Sequence, residues 1–313
     1  MLPPKNRRRP RRLLRRTTAI AALAAATLTA CSSERDPTVG TLPEAAASQA
    51  SDEAIEQGIP YREVDGTTLS MDACLPDESA EAAPAVLLVH GGGFTQGSRS
   101  DEGISSLCVW LAENGYAAFP VSYRLAPEHI YPAQPEDIGA AISFLRKDET
   151  SARFGIDPSR IGVLGSSAGA ILALTAAVSG EGALDSGTRI AAAISLSGVA
   201  DMTPSAATLG TPSPEAASTV LEYLGCESLA ECDGEAASPI THVDGTDAPT
   251  LLVGSQDDLV PIEQSEAMAA SLDAAGVPND LIVAEGSSHG VALMNQTVRD
   301  AVLAFLGAHL SAR

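Results

Sequence analysis

Positive charge is scarce in this sequence, and most of it is crowded at one end. The chain of 313 residues carries 19 Lys and Arg against 40 Asp and Glu, a net charge of −21. Eight of the nineteen basic residues fall within the first thirty, a stretch that contains no acid. Beyond it stand eleven basic and forty acidic residues, a net charge of −29. So acidic a surface repels phosphate backbones and anionic head groups, which excludes nucleic acid as a partner. Long apolar runs are lacking too. The run "TTAIAALAAATLTA" (17–30) has ~14 residues, short of the roughly 20 that cross a bilayer. Histidine and cysteine number five each. No His lies at ligand spacing from a cysteine pair, so no metal site is expected. There is no internal repeat.

What is present begins with a targeting pattern. An arginine-rich segment, "MLPPKNRRRPRRLLRR", precedes the short apolar run, which ends in "LTAC" at Cys31. The sequence "LTAC" resembles a bacterial lipobox. It implies a lipoprotein signal peptide over 1–30 and a lipidated amino terminus at Cys31. The chain would then be exported and held on the outer face of the cell membrane. Residues 31–57 are small, acidic and poor in bulky apolar groups, and are expected to form a flexible tether. The remaining 58–313 suffices for one large domain. In an oxidising compartment Cys226 and Cys232 would make a local disulfide, and Cys74 with Cys108 is a further candidate pair.

From about residue 84 onward, short apolar β-branched runs alternate with longer amphipathic ones. Strands are expected at 84–90, 116–123, 160–166, 189–198, 249–255 and 279–286, with antiparallel edge strands within 57–76. Helices are expected at 103–115, 135–149, 168–179, 261–276 and 295–310. Such alternation predicts an α/β domain with a mainly parallel sheet covered on both faces. The interval of about 198–247 breaks the rhythm with Pro, Ser and Thr and one helical pattern. It lies above the carboxyl ends of the strands, where a cap over a binding site would sit.

Two segments match G-x-S-x-G: "GSSAG" (165–169) and "GSSHG" (286–290). A serine is a poor nucleophile until an oriented base takes its proton. Of the five histidines, His309 lies in a terminal helix pattern, His242 in a polar loop and His129 in a Pro-rich loop. His90 and His289 remain, both at strand ends, where open α/β sheets build their sites. His90 opens "HGGGF" (90–94), a turn whose glycines permit close backbone approach and whose amides can face a developing oxyanion. His90 is therefore expected to orient that loop, and His289 to act as base. Ser288 would abut His289 and leave it without a role, so Ser167 is the expected nucleophile. The orienting acid comes from "GSQDD": Asp257 is preferred, with Asp258 an alternative that spacing cannot separate. The order Ser167, Asp257, His289 is that of α/β-hydrolases.

Four segments together carry a family resemblance: "HGGGF", "SYRLAPEHIYPAQPEDIGAAISFLR", "FGIDPSRIGVLGSSAGA" and "GSQDDLVPIEQSEAMAASLDAAGVPNDLIVAEGSSHG". They resemble the α/β-hydrolase fold in its hormone-sensitive-lipase-like branch, and the neighbouring feruloyl-esterase-like carboxylesterases of bacteria. The resemblance implies a carboxylic ester hydrolase that needs no metal or organic cofactor. It implies the roles given above for Ser167, His289 and Asp257, and an oxyanion hole built from the amides of Gly92, Gly93 and Ala168. Where the family often has "HGxxD", this chain has Val253 in place of the histidine. Its substrate would be a small or carbohydrate-linked ester. The alternatives are a serine peptidase of the prolyl-oligopeptidase type, for which the tether leaves no room for a propeller, and a non-catalytic binding module.

Overall fold

The computed structural model describes residues 55–77 and 81–311. Cys31, the signal segment 1–30 and most of the tether 31–57 lie outside the described residues. The first strand opens at Ile55, so the last three positions assigned to the tether belong to the folded domain.

Eight strands form one sheet: β1 (Ile55–Val64), β2 (Thr67–Cys74), β3 (Ala83–Val89), β4 (Ala117–Val121), β5 (Ile156–Ser166), β6 (Ala192–Leu196), β7 (Thr250–Ser255) and β8 (Asn279–Ala284). Their spatial order is β1-β2-β4-β3-β5-β6-β7-β8. The first three in that order pair antiparallel and all later neighbours pair parallel. β1 and β2 form a hairpin across Asp65-Gly66, both with positive φ (51° and 77°), the backbone demanded by a tight two-residue turn.

The helices are α1 (Glu102–Glu113), α2 (Ala133–Leu145), α3 (Asp148–Phe154), α4 (Ala168–Ala177), α5 (Pro214–Leu224), α6 (Gly234–Ala237), α7 (Ile262–Ala275) and α8 (Gln296–His309). Period-two alternation along the strands divides the core. Ala85, Leu87 and Val89 of β3 face one side, where α2, α4 and α7 pack; Val86 and Leu88 face the other, where α1 and α8 pack. The expected helix over 135–149 starts two residues earlier and stops at Leu145. Lys147 is extended, and α3 restarts with Asp148 and Glu149 in its first turn. The break coincides with the Arg146 guanidinium, which donates to the carbonyls of Pro158, Leu184 and Gly187.

Two covalent and ionic ties fix the flank of the sheet. A disulfide joins Cys74 at the end of β2 to Cys108 in α1, with Cα atoms 5.6 Å apart. Arg124, nearly buried, donates to the fully buried Asp137 of α2. Arg62 of β1 pairs with the same carboxylate, so the hairpin and α2 share one ionic knot. The interval between β6 and β7 folds as a cap of short pieces: a 3-10 turn at Pro204–Thr208, α5, α6 and a second 3-10 turn at Pro239–His242. A second disulfide, Cys226–Cys232, closes the loop between α5 and α6.

Candidate active site

The site grows out of the turn between β5 and α4. Ser167 stands there alone, with φ 55° and ψ −117°, a conformation that non-glycine residues adopt only under constraint. Its amide donates to the Leu196 carbonyl at 2.8 Å, and its own carbonyl accepts from Ala170 at 2.8 Å. The flanking glycines are steric requirements. A Cβ at Gly165 would strike the Gly169 carbonyl, and one at Gly169 would strike the carbonyls of Val89 and His90. Small residues thus let the helix start directly against the strands, with the serine hydroxyl pushed out into the cleft.

His289 follows β8 and precedes a 3-10 turn at Gly290–Leu293. Its Nε2 lies 2.8 Å from Ser167 Oγ, and its Nδ1 lies 2.7 Å from Asp258 Oδ1. An ionised carboxylate only accepts, so Nδ1 carries the proton and donates to Asp258, which leaves Nε2 as the acceptor for the serine hydroxyl. The Asp258 side chain is 1% exposed and that of His289 25%, so the carboxylate is sealed while the imidazole reaches the cleft. Burial opposes ionisation of Asp258. The hydrogen bonds from His289 and from Ser197 outweigh it and hold the carboxyl below the usual carboxylate range.

The expectation of Asp257 as the acid on His289 is corrected by this geometry. After β7 the chain turns at Gln256 and Asp257, where the Asp257 amide donates to the Gly286 carbonyl at 2.9 Å. That bond ties the backbone to the end of β8 and leaves the Asp257 side chain exposed, so the next residue, Asp258, turns inward to the histidine. The second G-x-S-x-G match is the loop that presents His289. Ser288 in it is exposed, and its carbonyl accepts from Ser255 Oγ at 2.7 Å.

The glycine loop faces the serine across the cleft. Gly92 and Gly93 have φ of 103° and 60°, and a Cβ on Gly92 would collide with the Gln96 carbonyl. Ala168 opens α4, so its amide has no acceptor within the helix. Gly92, Gly93 and Ala168 all line the same cleft of about 620 Å³ as Ser167 and His289. His90 is buried beneath the loop. Its Nδ1 lies 2.7 Å from the Gly91 carbonyl, and its ring stacks on Tyr123 at 4.3 Å, whose hydroxyl donates to the His90 carbonyl at 3.0 Å. Burial lowers the His90 pKa, against the opposing pulls of the Gly91 carbonyl and of Asp101, so its ring is neutral at pH 7. The other histidines stand apart from the cleft. His242 Nε2 is 3.0 Å from the Ala236 carbonyl, His309 packs on Phe305, and the His129 amide bonds to Leu125.

The cap supplies the opposite wall. Glu215, Ser218, Thr219 and Glu222 fall at helical spacing along α5 and line the cleft. Phe94, fully buried at the end of the glycine loop, stacks on Tyr223 of α5 at 3.8 Å. Three features of the site had no sequence signal: this aromatic contact, and the hydroxyls of Ser166 and Ser197 beneath His289. Ser166 Oγ accepts from the Val291 amide at 3.1 Å.

A parallel-dominated sheet with a strained serine at a strand-to-helix turn, a histidine after the last strand and an acid after the strand before it defines an α/β-hydrolase. The profile of the BD-FAE family matches residues 71–272, and the chain belongs to that family. Esterase LipQ of Mycobacterium tuberculosis is 32% identical over 241 residues, 72% of this chain and 55% of that protein. The chain therefore spans about half the length of this curated relative. Among solved structures, a truncated carbohydrate esterase from gut microbiota superposes with a TM-score of 0.70 at 24% identity, over 82% of this chain and 96% of that one. An acetyl ester-xyloside bifunctional hydrolase from Caldicellulosiruptor lactoaceticus gives 0.63 at 25% identity, over 80% and 93%.

Proposed function

We propose that the protein is a serine carboxylesterase acting on small or carbohydrate-linked esters, with Ser167 as nucleophile, His289 as general base and acid, and Asp258 as the orienting carboxylate. The observation that carries this reading is the unbroken relay from Ser167 Oγ through both nitrogens of His289 to Asp258. In the first half-reaction Oγ attacks the ester carbonyl while Nε2 takes its proton. The carbonyl oxygen becomes an anion, met by the amides of Gly92, Gly93 and Ala168. The carbon–alkoxide bond then breaks, and the imidazolium returns its proton to the departing alcohol. Water enters and loses a proton to the same Nε2. Its oxygen attacks the acyl-serine, the acyl–Oγ bond breaks, and the imidazolium returns the proton to Oγ, which releases the acid and restores Ser167 and His289. Asp258 stabilises the imidazolium in both halves.

The substrate class is supported by two things: the polar wall of α5, which offers hydroxyl and carboxylate partners for a sugar, and the names of the similar carbohydrate esterase and acetyl ester-xyloside hydrolase. A panel of p-nitrophenyl esters of increasing acyl length, together with acetyl-xylan and feruloyl sugars, tests it. Turnover of short esters is expected. Ser167→Ala should lower kcat by about 10⁴-fold or more, whereas Ser288→Ala should leave it within about twofold. No hydrolysis of any ester by the wild type, or the opposite ranking of the two serines, rejects the reading.

The export expectation stands as a further proposal: a lipid on Cys31 holds the domain at the outer face of the cell membrane. It is supported by the "LTAC" pattern and by two disulfides, which persist in oxidising compartments.

A further inference from the structure

We propose that Ser197 is a positioning residue for the reaction, one whose hydroxyl clamps the acid and the base-bearing loop into register. The inference rests on the reading of Ser167, His289 and Asp258 given above. Ser197 lies one residue past β6, between the elbow and the end of β7. Its Oγ donates to Asp258 Oδ2 at 2.6 Å and accepts from the Gly290 amide at 3.0 Å. Gly290 is the residue after His289, so one hydroxyl touches the acid on one side and the neighbour of the base on the other.

The carboxylate needs this contact to keep its orientation. Asp258 Oδ1 is occupied by His289 Nδ1, and the Val260 amide, 3.4 Å from the same oxygen, adds little. Ser197 is the donor on Oδ2, so it fixes rotation about the last side-chain bond of Asp258 and thereby the plane in which His289 is held. The same hydroxyl stops the Gly290 amide from being buried without an acceptor. Both contacts must hold at once for Nε2 to stay in line with Ser167 Oγ.

The backbone argues that this placement is maintained against a cost. Ser197 has φ 62°, one of four non-glycine residues with positive φ among those described, and it is 2% exposed. Its amide donates to the Val253 carbonyl at 2.8 Å, an anchor that does not depend on the side chain. Glycine would adopt this conformation without strain. A serine here is explained by what its hydroxyl holds.

The test compares Ser197→Ala with Ser197→Gly, since both remove the hydroxyl while glycine also relieves the backbone. Two rates are measured for each: kcat and KM on p-nitrophenyl acetate, and the second-order rate of Ser167 phosphonylation by a fluorophosphonate. Both variants should lose roughly tenfold or more in kcat and in phosphonylation, up to a ceiling of the roughly 10⁴-fold that an oriented base contributes. KM should stay within about twofold, and the glycine variant should melt at a higher temperature than the alanine variant. Activities that fall together while stabilities diverge place the effect in the hydroxyl. Wild-type rates in either variant, or activity that tracks melting temperature, would overturn the proposal. Wild type that phosphonylates at Ser167 yet turns over no ester sinks the esterase reading alone, because the phosphonylation rates still report on Ser197.

Discussion

Asp257 and Asp258 are neighbours of identical chemistry, and their fates differ because of one backbone hydrogen bond. The Asp257 amide is spent on Gly286, which turns its carboxylate to solvent and swings the next one beneath His289. Nothing in the residue types or their spacing separates the two. The places of Ser167 and His289 were legible, since a serine between mandatory glycines and a histidine at a strand end each leave a mark in the sequence. The acid depends on a turn whose shape is set by contact with β8, far along the chain. Asp258→Asn should therefore lower kcat by about 10³–10⁴-fold, through loss of the correct imidazole tautomer, while Asp257→Asn should change it by no more than about twofold. Steady-state kinetics of the two variants on p-nitrophenyl acetate decides this; equal losses would contradict the assignment. Ser197 was illegible for a related reason: "SLSGVA" carries no motif, and its hydroxyl matters only because β6 lies between the elbow and β7.

At the scale of elements, the parallel strands were legible because they are short, β-branched and bounded by glycine or proline. The cap resisted the same treatment. Its pieces are 4–11 residues long, and they are organised by tertiary partners more than by periodicity. α5 carries local signals at both ends, with Ser213 capping its start through the Ala216 amide and Gly225 closing it at φ 71°. Elsewhere covalent ties substitute for pattern. The Cys74–Cys108 disulfide spans 34 residues and pins α1 to β2, within the layer that α1 and α8 share. Constraint of a loop that long stabilises by about 3–4 kcal/mol. The double variant Cys74→Ala, Cys108→Ala should accordingly melt several degrees lower than the wild type in thermal unfolding. An unchanged midpoint would show that the packing of α1 alone suffices.

For the whole molecule, the division of charge is the governing fact. The basic residues gathered in 1–30 and the net −29 beyond them divide the chain into two stretches of opposite charge. Even the region of cleft and cap follows the acidic bias, with Asp101, Glu215 and Glu222 lining the cleft and, among the described residues, no lysine or arginine in its wall. An acidic domain has no attraction of its own for an anionic membrane, so its retention there would depend on a covalent lipid. Cys31→Ser should move the protein from the membrane fraction to the soluble one on cell fractionation, with the specific activity of the released domain unchanged. Retention of the variant in the membrane fraction would refute the anchor.

The stack of Phe94 on Tyr223 makes the cap something other than a hinged cover. One ring belongs to the loop that supplies Gly92 and Gly93, the other to the helix that walls the far side of the cleft. The two faces of the site therefore share a buried aromatic joint, and neither can be displaced without disturbing its partner. Under the proposed reaction, a substrate too bulky for the space under α5 would gain room only by loosening the loop of Gly92 and Gly93. Size discrimination would then be exerted on the rate of the proposed chemical step more than on the strength of the encounter.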